Sequence, residues 1–162
     1  MADETKLKWE GKATAELKAS TAEQIWPLIA EFCNLDKFFP SVDTCYRKEG
    51  TLGEPGLVRY CEGKMGWANE KLLTIDPINH SLSYEVMENN VGFKNYIATL
   101  NVLPMEGGGC KIEWSFVSDP IQGLKVEDLV SLVDDTLQFM AKKMEDAVVC
   151  GCAGSKLDVE NC

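Results

Sequence analysis

Over residues 8–18, apolar and polar positions alternate strictly. Trp9, Gly11, Ala13, Ala15 and Leu17 fall on one side, and Lys8, Glu10, Lys12, Thr14 and Glu16 on the other. A period of two predicts a half-buried strand. The pattern then breaks at Ser20-Thr21-Ala22-Glu23, which reads as a capping box ahead of the segment IWPLIAEFC. Ile25, Trp26, Leu28, Ile29 and Phe32 fit the buried side of a short helix, with Pro27 near its first turn. Residues 34–39 read as a second short helix that Pro40 stops.

Strand-like runs follow at 42–48, 57–62, 67–75, 81–88, 93–103 and 110–117, parted by turns rich in Gly, Pro and Asn. From 125 to 149 the period becomes helical. Val126, Leu129, Val130, Val133, Leu137, Met140, Met144 and Val148 mark one face. Glu127, Asp128, Asp134, Asp135, Lys142, Lys143, Glu145 and Asp146 mark the wet one. Such a helix spans roughly 37 Å at 1.5 Å per residue. Gly151 and Gly154 end it, and residues 153–162 read as a disordered tail behind a single domain of 1–152.

Strands linked as hairpins imply an antiparallel sheet, here of about seven strands, and helices set apart from them imply an α+β architecture. One long helix can cover only one face of a curved sheet of that size. An internal cavity lined by the sheet's apolar inner face is therefore expected.

Composition narrows the occupant. The chain has 162 residues, 45% hydrophobic and 26% charged, with a net charge of −10. That charge disfavours nucleic acid and anionic membrane surfaces as partners. A small apolar ligand is the expected partner, with the oligomeric state left open. No apolar run reaches the roughly 18 residues of a membrane span. The polar start MADETKLKWEGK carries no secretory signal, so a cytoplasmic protein with reduced thiols is expected. The seven cysteines form no spaced framework, and Cys150 and Cys152 alone are too few for a metal site. His80 follows a turn, with no Ser or Cys partner in its context, and reads as a surface residue. HExxH, GxSxG and a glycine-rich phosphate loop are all lacking, and neither metal nor cofactor is expected.

Two charges break the strand pattern in LVRYCEGKMGWANEKL: Arg59 and Glu70. If Gly63 faces Gly66 across the turn, Arg59 stands opposite Glu70, with Cβ atoms about 4.5–5.5 Å apart. Leu57 and Cys61 share the face of Arg59, and Ala68 and Leu72 that of Glu70. On a solvated face this is an ordinary cross-strand ion pair. Inside a cavity, Glu70 becomes a proton donor and acceptor, and Arg59 holds it ionised or binds an oxyanion on the ligand. Tyr96 is the candidate for orienting a polar group, sharing a face with Lys94, Ala98 and Leu100. Trp114, Leu57, Leu72 and Phe39 are the candidates for lining the ligand side.

The order of elements resembles the helix-grip fold of the START and birch-pollen-allergen superfamily. Within it, KWEGK, AEQIW, NLDKFFPS, VRY, ANEKL, NYIATLNV and EWSF resemble the plant lachrymatory factor synthases, in order from Lys8 to Val148. That family's enzyme converts a short-lived alkenyl sulfenic acid to a thial S-oxide by moving a proton. The resemblance implies that Arg59 and Glu70 carry the chemistry and that Tyr96 and Trp114 belong to the pocket. The connection CEGKMGW is shorter than in the onion enzyme, which alters the cavity mouth and bears on substrate identity. Abscisic acid receptors share the fold, but their SGLPA and HRL loops correspond here to TLGEPG and NVGFKNY. Pro40 stands where they carry a carboxylate-binding lysine. A non-catalytic binder or carrier of lipid, hormone or phenolic molecules is the alternative to an isomerase.

Overall fold

The alternation at the start of the chain forms strand β1 (Trp9–Leu17), whose inward residues Ala13, Ala15 and Leu17 are buried. The computed structural model describes residues 8–40 and 42–149, so the tail at 153–162 and Cys150 and Cys152 lie outside the described residues. Helix α1 (Ala22–Ala30) and a 3₁₀ segment (Phe32–Lys37) follow. Then come β2 (Val42–Glu49), β3 (Val58–Gly63), β4 (Gly66–Asp76), β5 (Ser81–Asn89), β6 (Ile97–Pro104) and β7 (Cys110–Ser118). The long helix α2 (Val126–Val149) closes the order.

All seven strands pair antiparallel in one sheet, in the order β1-β7-β6-β5-β4-β3-β2. The sheet is curved and holds α2 against its inner face, the helix-grip arrangement. Leu129, Val133, Leu137, Met140 and Met144 of α2 are buried, as their spacing predicts, and Thr136 and Ala141 join them. Among the described residues no helix is long and apolar enough to cross a membrane.

Several local expectations shift. The capping box is one residue later than Ser20 to Glu23. Thr21 Oγ1 accepts from Gln24 N at 3.2 Å, and Gln24 Oε1 accepts from Thr21 N at 2.9 Å. T-x-x-Q satisfies the same two backbone donors as S-x-x-E. Ser20 is instead buried, and its hydroxyl has no partner among the described residues. Pro27 lies inside α1, beyond the first turn, and the helix ends three residues later at Ala30. The second short helix is a 3₁₀ segment kinked at Asn34. Glu145 is half-buried rather than wet, because its carboxylate accepts from Ala19 N at 2.7 Å and ties the β1–α1 connection to α2. His80 is also half-buried, its ring stacked on Trp26 with centroids 5.5 Å apart.

The largest difference is the start of β6, expected at residue 93 and found at Ile97. Asn89 Oδ1 accepts from the backbone N–H of Val91, Gly92 and Phe93, which folds the chain into a turn. Asn95 then takes the left-handed conformation (φ 55°), so Lys94 is exposed while Tyr96, Ala98 and Leu100 face inward.

Candidate functional site

Gly63 faces Gly66, and Arg59 stands directly opposite Glu70. The register that places them is fixed by the four-residue turn. Arg59 Nε donates to Glu70 Oε1 at 2.8 Å, and Nη2 lies 2.6 Å from the same oxygen in an ion pair. Nη1 donates to the Phe32 carbonyl at 2.7 Å. The guanidinium also lies over the Phe32 ring, 3.7 Å from its centroid, and 4.9 Å from that of Tyr84. The Arg59 side chain is 6% exposed and that of Glu70 14%. Burying two ions costs several kcal/mol each unless geometry and further hydrogen bonds compensate. Here the paired donors, the Phe32 carbonyl and two aromatic faces do so. Burial pulls the Arg59 pKa down, but the Glu70 charge, aided by Cys61 and Tyr84, raises it further, and the net direction is up.

A cavity of about 120 Å³ opens beside this pair. Glu70, Cys61 and Ala68 line it from the hairpin, Tyr84 and Val86 from β5, and Leu129, Val133 and Thr136 from α2. Arg59 does not line it. It borders a second space of about 40 Å³, and Phe39, Tyr84 and Trp114 form walls of both. The carboxylate is thus presented to the cavity and the guanidinium stands behind it. Arg59 Nε is held by Glu70 and Nη1 by the Phe32 carbonyl, which fixes the guanidinium beside the smaller space rather than on the wall of the larger one.

Of the remaining candidates, Tyr96, Trp114 and Phe39 line the main cavity. The Tyr96 ring stacks on Phe116 at 5.6 Å and leans on Phe93 at 4.8 Å. Burial pushes its phenol above the ordinary range, while the neighbouring Trp114 indole lowers it and the Glu70 charge raises it. Burial likewise raises Tyr84 well above its ordinary value. Trp114 meets Phe39 edge-on at 6.1 Å, and its buried Nε1–H has no well-formed hydrogen bond among the described residues. An indole N–H on the cavity wall, beside the Tyr96 phenol, is a donor that a ligand oxygen can engage.

Leu57 and Leu72 do not line the cavity. They face each other, with Leu72 N donating to the Leu57 carbonyl at 2.8 Å, and both are fully buried. They lie on the far side of Arg59 and Glu70 from the Gly63–Gly66 turn, whereas the cavity spreads toward that turn, past Cys61, Ala68 and Met65. Tyr84 is the main residue that sequence reasoning missed. Alternation in SLSYEVME puts it on one face with Leu82 and Val86, but its pairing opposite Leu72, diagonal to Glu70, depends on the register shift between Leu72 and Thr74 in the β4–β5 ladder.

The family model described as polyketide cyclase/dehydrase and lipid transport matches residues 8–149. The chain belongs to this family. Members of the polyketide cyclase/dehydrase and lipid transport family bind ligands in a START-like cavity, and a small hydrophobic ligand is the partner that membership implies. Two solved structures carry the same fold. The XoxI protein from Bacillus cereus superposes with a TM-score of 0.71 at 21% identity, over 86% of this chain and 95% of its own. An uncharacterized protein from Bacillus thuringiensis superposes at 0.69 and 22% identity, over 86% of this chain and 98% of its own.

In this polyketide cyclase/dehydrase-type cavity, the Glu70 carboxylate, the tyrosines Tyr84 and Tyr96 and the Trp114 indole line a mostly apolar space that Glu62, Thr136 and Cys61 also border. Among the described residues, no three His, Cys, Asp or Glu side chains come together to hold a metal ion. The groups at hand suit proton transfer and the orientation of one polar ligand atom.

Proposed function

We propose that the cavity binds a compact, weakly polar molecule and that Glu70 moves a proton on it, without a cofactor. Glu70 carries this reading: of the two glutamates on the cavity wall, it is the one paired with a buried arginine. Both Arg59 contacts, the Nε hydrogen bond and the Nη2 ion pair, fall on Oε1, which leaves Oε2 for the ligand. Tyr96 and Trp114 supply donors for a ligand oxygen. The reaction type follows from the resemblance to the lachrymatory factor synthases. In an alkenyl sulfenic acid the hydroxyl proton passes to Glu70. The S–C bond becomes double as the C=C bond opens, and the distal carbon takes a proton back from Glu70, giving the thial S-oxide. Size supports a compact substrate, since about 120 Å³ is well below the 300–1,000 Å³ of pockets for drug-sized ligands.

Non-catalytic carriage of an apolar molecule is the second reading, favoured by the family's lipid-transport members and by the apolar walls. The two separate in one experiment. An alkenyl sulfenic acid, generated from its precursor beside the pure protein, should yield thial S-oxide at a rate proportional to protein. Absence of product, with a lipid or phenolic seen bound in native mass spectrometry, supports the carrier instead.

A further inference from the structure

Cys45 and Cys61 have no part in the proton-transfer reading. They are directly opposed across β2 and β3, and Cys61 Sγ donates to Cys45 Sγ at 3.4 Å. Opposed residues in antiparallel strands keep their Cα atoms about 4.5–5.5 Å apart. That lies within the roughly 4.4–6.8 Å that a disulfide spans. Side-chain rotation that closes the sulfurs from 3.4 Å to about 2.05 Å is enough to form the bond.

The two thiols are not equivalent. Cys45 is half-buried on the edge strand, whereas Cys61 is buried and lines the cavity. The hydrogen bond from Cys61 lowers the Cys45 thiol to about 7 against the effect of burial, and the Arg59 charge lowers it further. The same hydrogen bond, together with burial, pushes Cys61 up. An accessible thiolate beside a buried thiol is the arrangement of an attacking and a resolving cysteine.

We propose that Cys45 and Cys61 are a redox modification site, in which a hydroperoxide oxidises Cys45 and Cys61 closes an intramolecular cross-strand disulfide. The Cys45 thiolate attacks the terminal oxygen of the peroxide, the O–O bond breaks, and the alkoxide (hydroxide from hydrogen peroxide) leaves to give a sulfenic acid. The Cys61 sulfur then attacks the Cys45 sulfur. The S–S bond forms, the S–O bond breaks, and the oxygen departs as water with the Cys61 proton. One peroxide is reduced by two electrons as two thiols become one disulfide, and a dithiol reductant reverses the step. The product ties β2 to β3 and converts a thiol of the cavity wall, two residues from Arg59, into a disulfide sulfur.

Peptide mapping of the full chain tests this without relying on any variant. Reduced protein is treated with one equivalent of hydrogen peroxide, alkylated and cut with trypsin. The peptide of residues 38–47 should appear linked to that of residues 60–64, and the link should vanish on reduction. With Cys61→Ser, dimedone should trap Cys45 as its sulfenic acid; with Cys45→Ser, Cys61 should stay alkylatable. The proposal is overturned if Cys45 and Cys61 remain free while other cysteines oxidise, or if either pairs chiefly with Cys33 or another thiol.

Discussion

Arg59 donates from Nε to Glu70 and from Nη1 to the Phe32 carbonyl, and its Nη2 is ion-paired with Glu70, so the guanidinium is anchored within the protein. In the proposed reaction its task is to hold the Glu70 carboxylate in place at the cavity wall. Arg59→Met removes one partner of a buried pair, which typically costs about 3–5 kcal/mol. Urea denaturation should show that loss, and a smaller one for Glu70→Gln, whose amide still accepts from the guanidinium. Tyr84 and Tyr96 give a pH signature. Their folded pKa values are raised by burial, so the stability they carry is full below the unfolded value near 10 and drains as pH rises above it. The urea midpoint should therefore fall between pH 10 and 11.5, and less steeply in Tyr96→Phe. The Arg59–Glu70 contact was legible in the sequence because a hairpin's register follows from its turn. The exclusion of Leu57 and Leu72 from the cavity was not, because it depends on where α2 and the loops leave space along that hairpin.

At the scale of elements, caps and turns decide the boundaries. Thr21→Ala should cost about 1 kcal/mol, the usual loss for a helix cap, measured as a lowered urea midpoint. Ser20→Ala should be near neutral or stabilising, because it removes a buried hydroxyl that has no partner among the described residues. The reverse order of effects would restore the capping box to Ser20. Each element expected from periodicity exists, and all bury residues on an inner face except edge strand β2, which has no buried residue. The start of β6 was illegible for a local reason. Asn89 collects three backbone N–H groups, and a side-chain-organised turn overrides the strand-like composition of GFKNY. That turn also carries Phe93 to the cavity wall.

For the whole molecule, the grip of the sheet on α2 defines the cavity. It is closest at Gly11, where a methyl group would sit 2.6 Å from Phe116 Cζ and 2.7 Å from Val130 Cγ2. Gly11→Ala should push helix and sheet apart, at roughly the 1–3 kcal/mol of an overpacked core, and lower the melting temperature. In the proposed function, this enclosure exists to let Glu70 move a proton. The most direct measurement compares wild type with Glu70→Gln on an alkenyl sulfenic acid generated in D₂O. Wild type should form thial S-oxide carrying one deuterium on carbon, and Glu70→Gln should lose at least the 10²-fold typical of a missing general acid–base group. Equal rates for the two proteins would contradict the account.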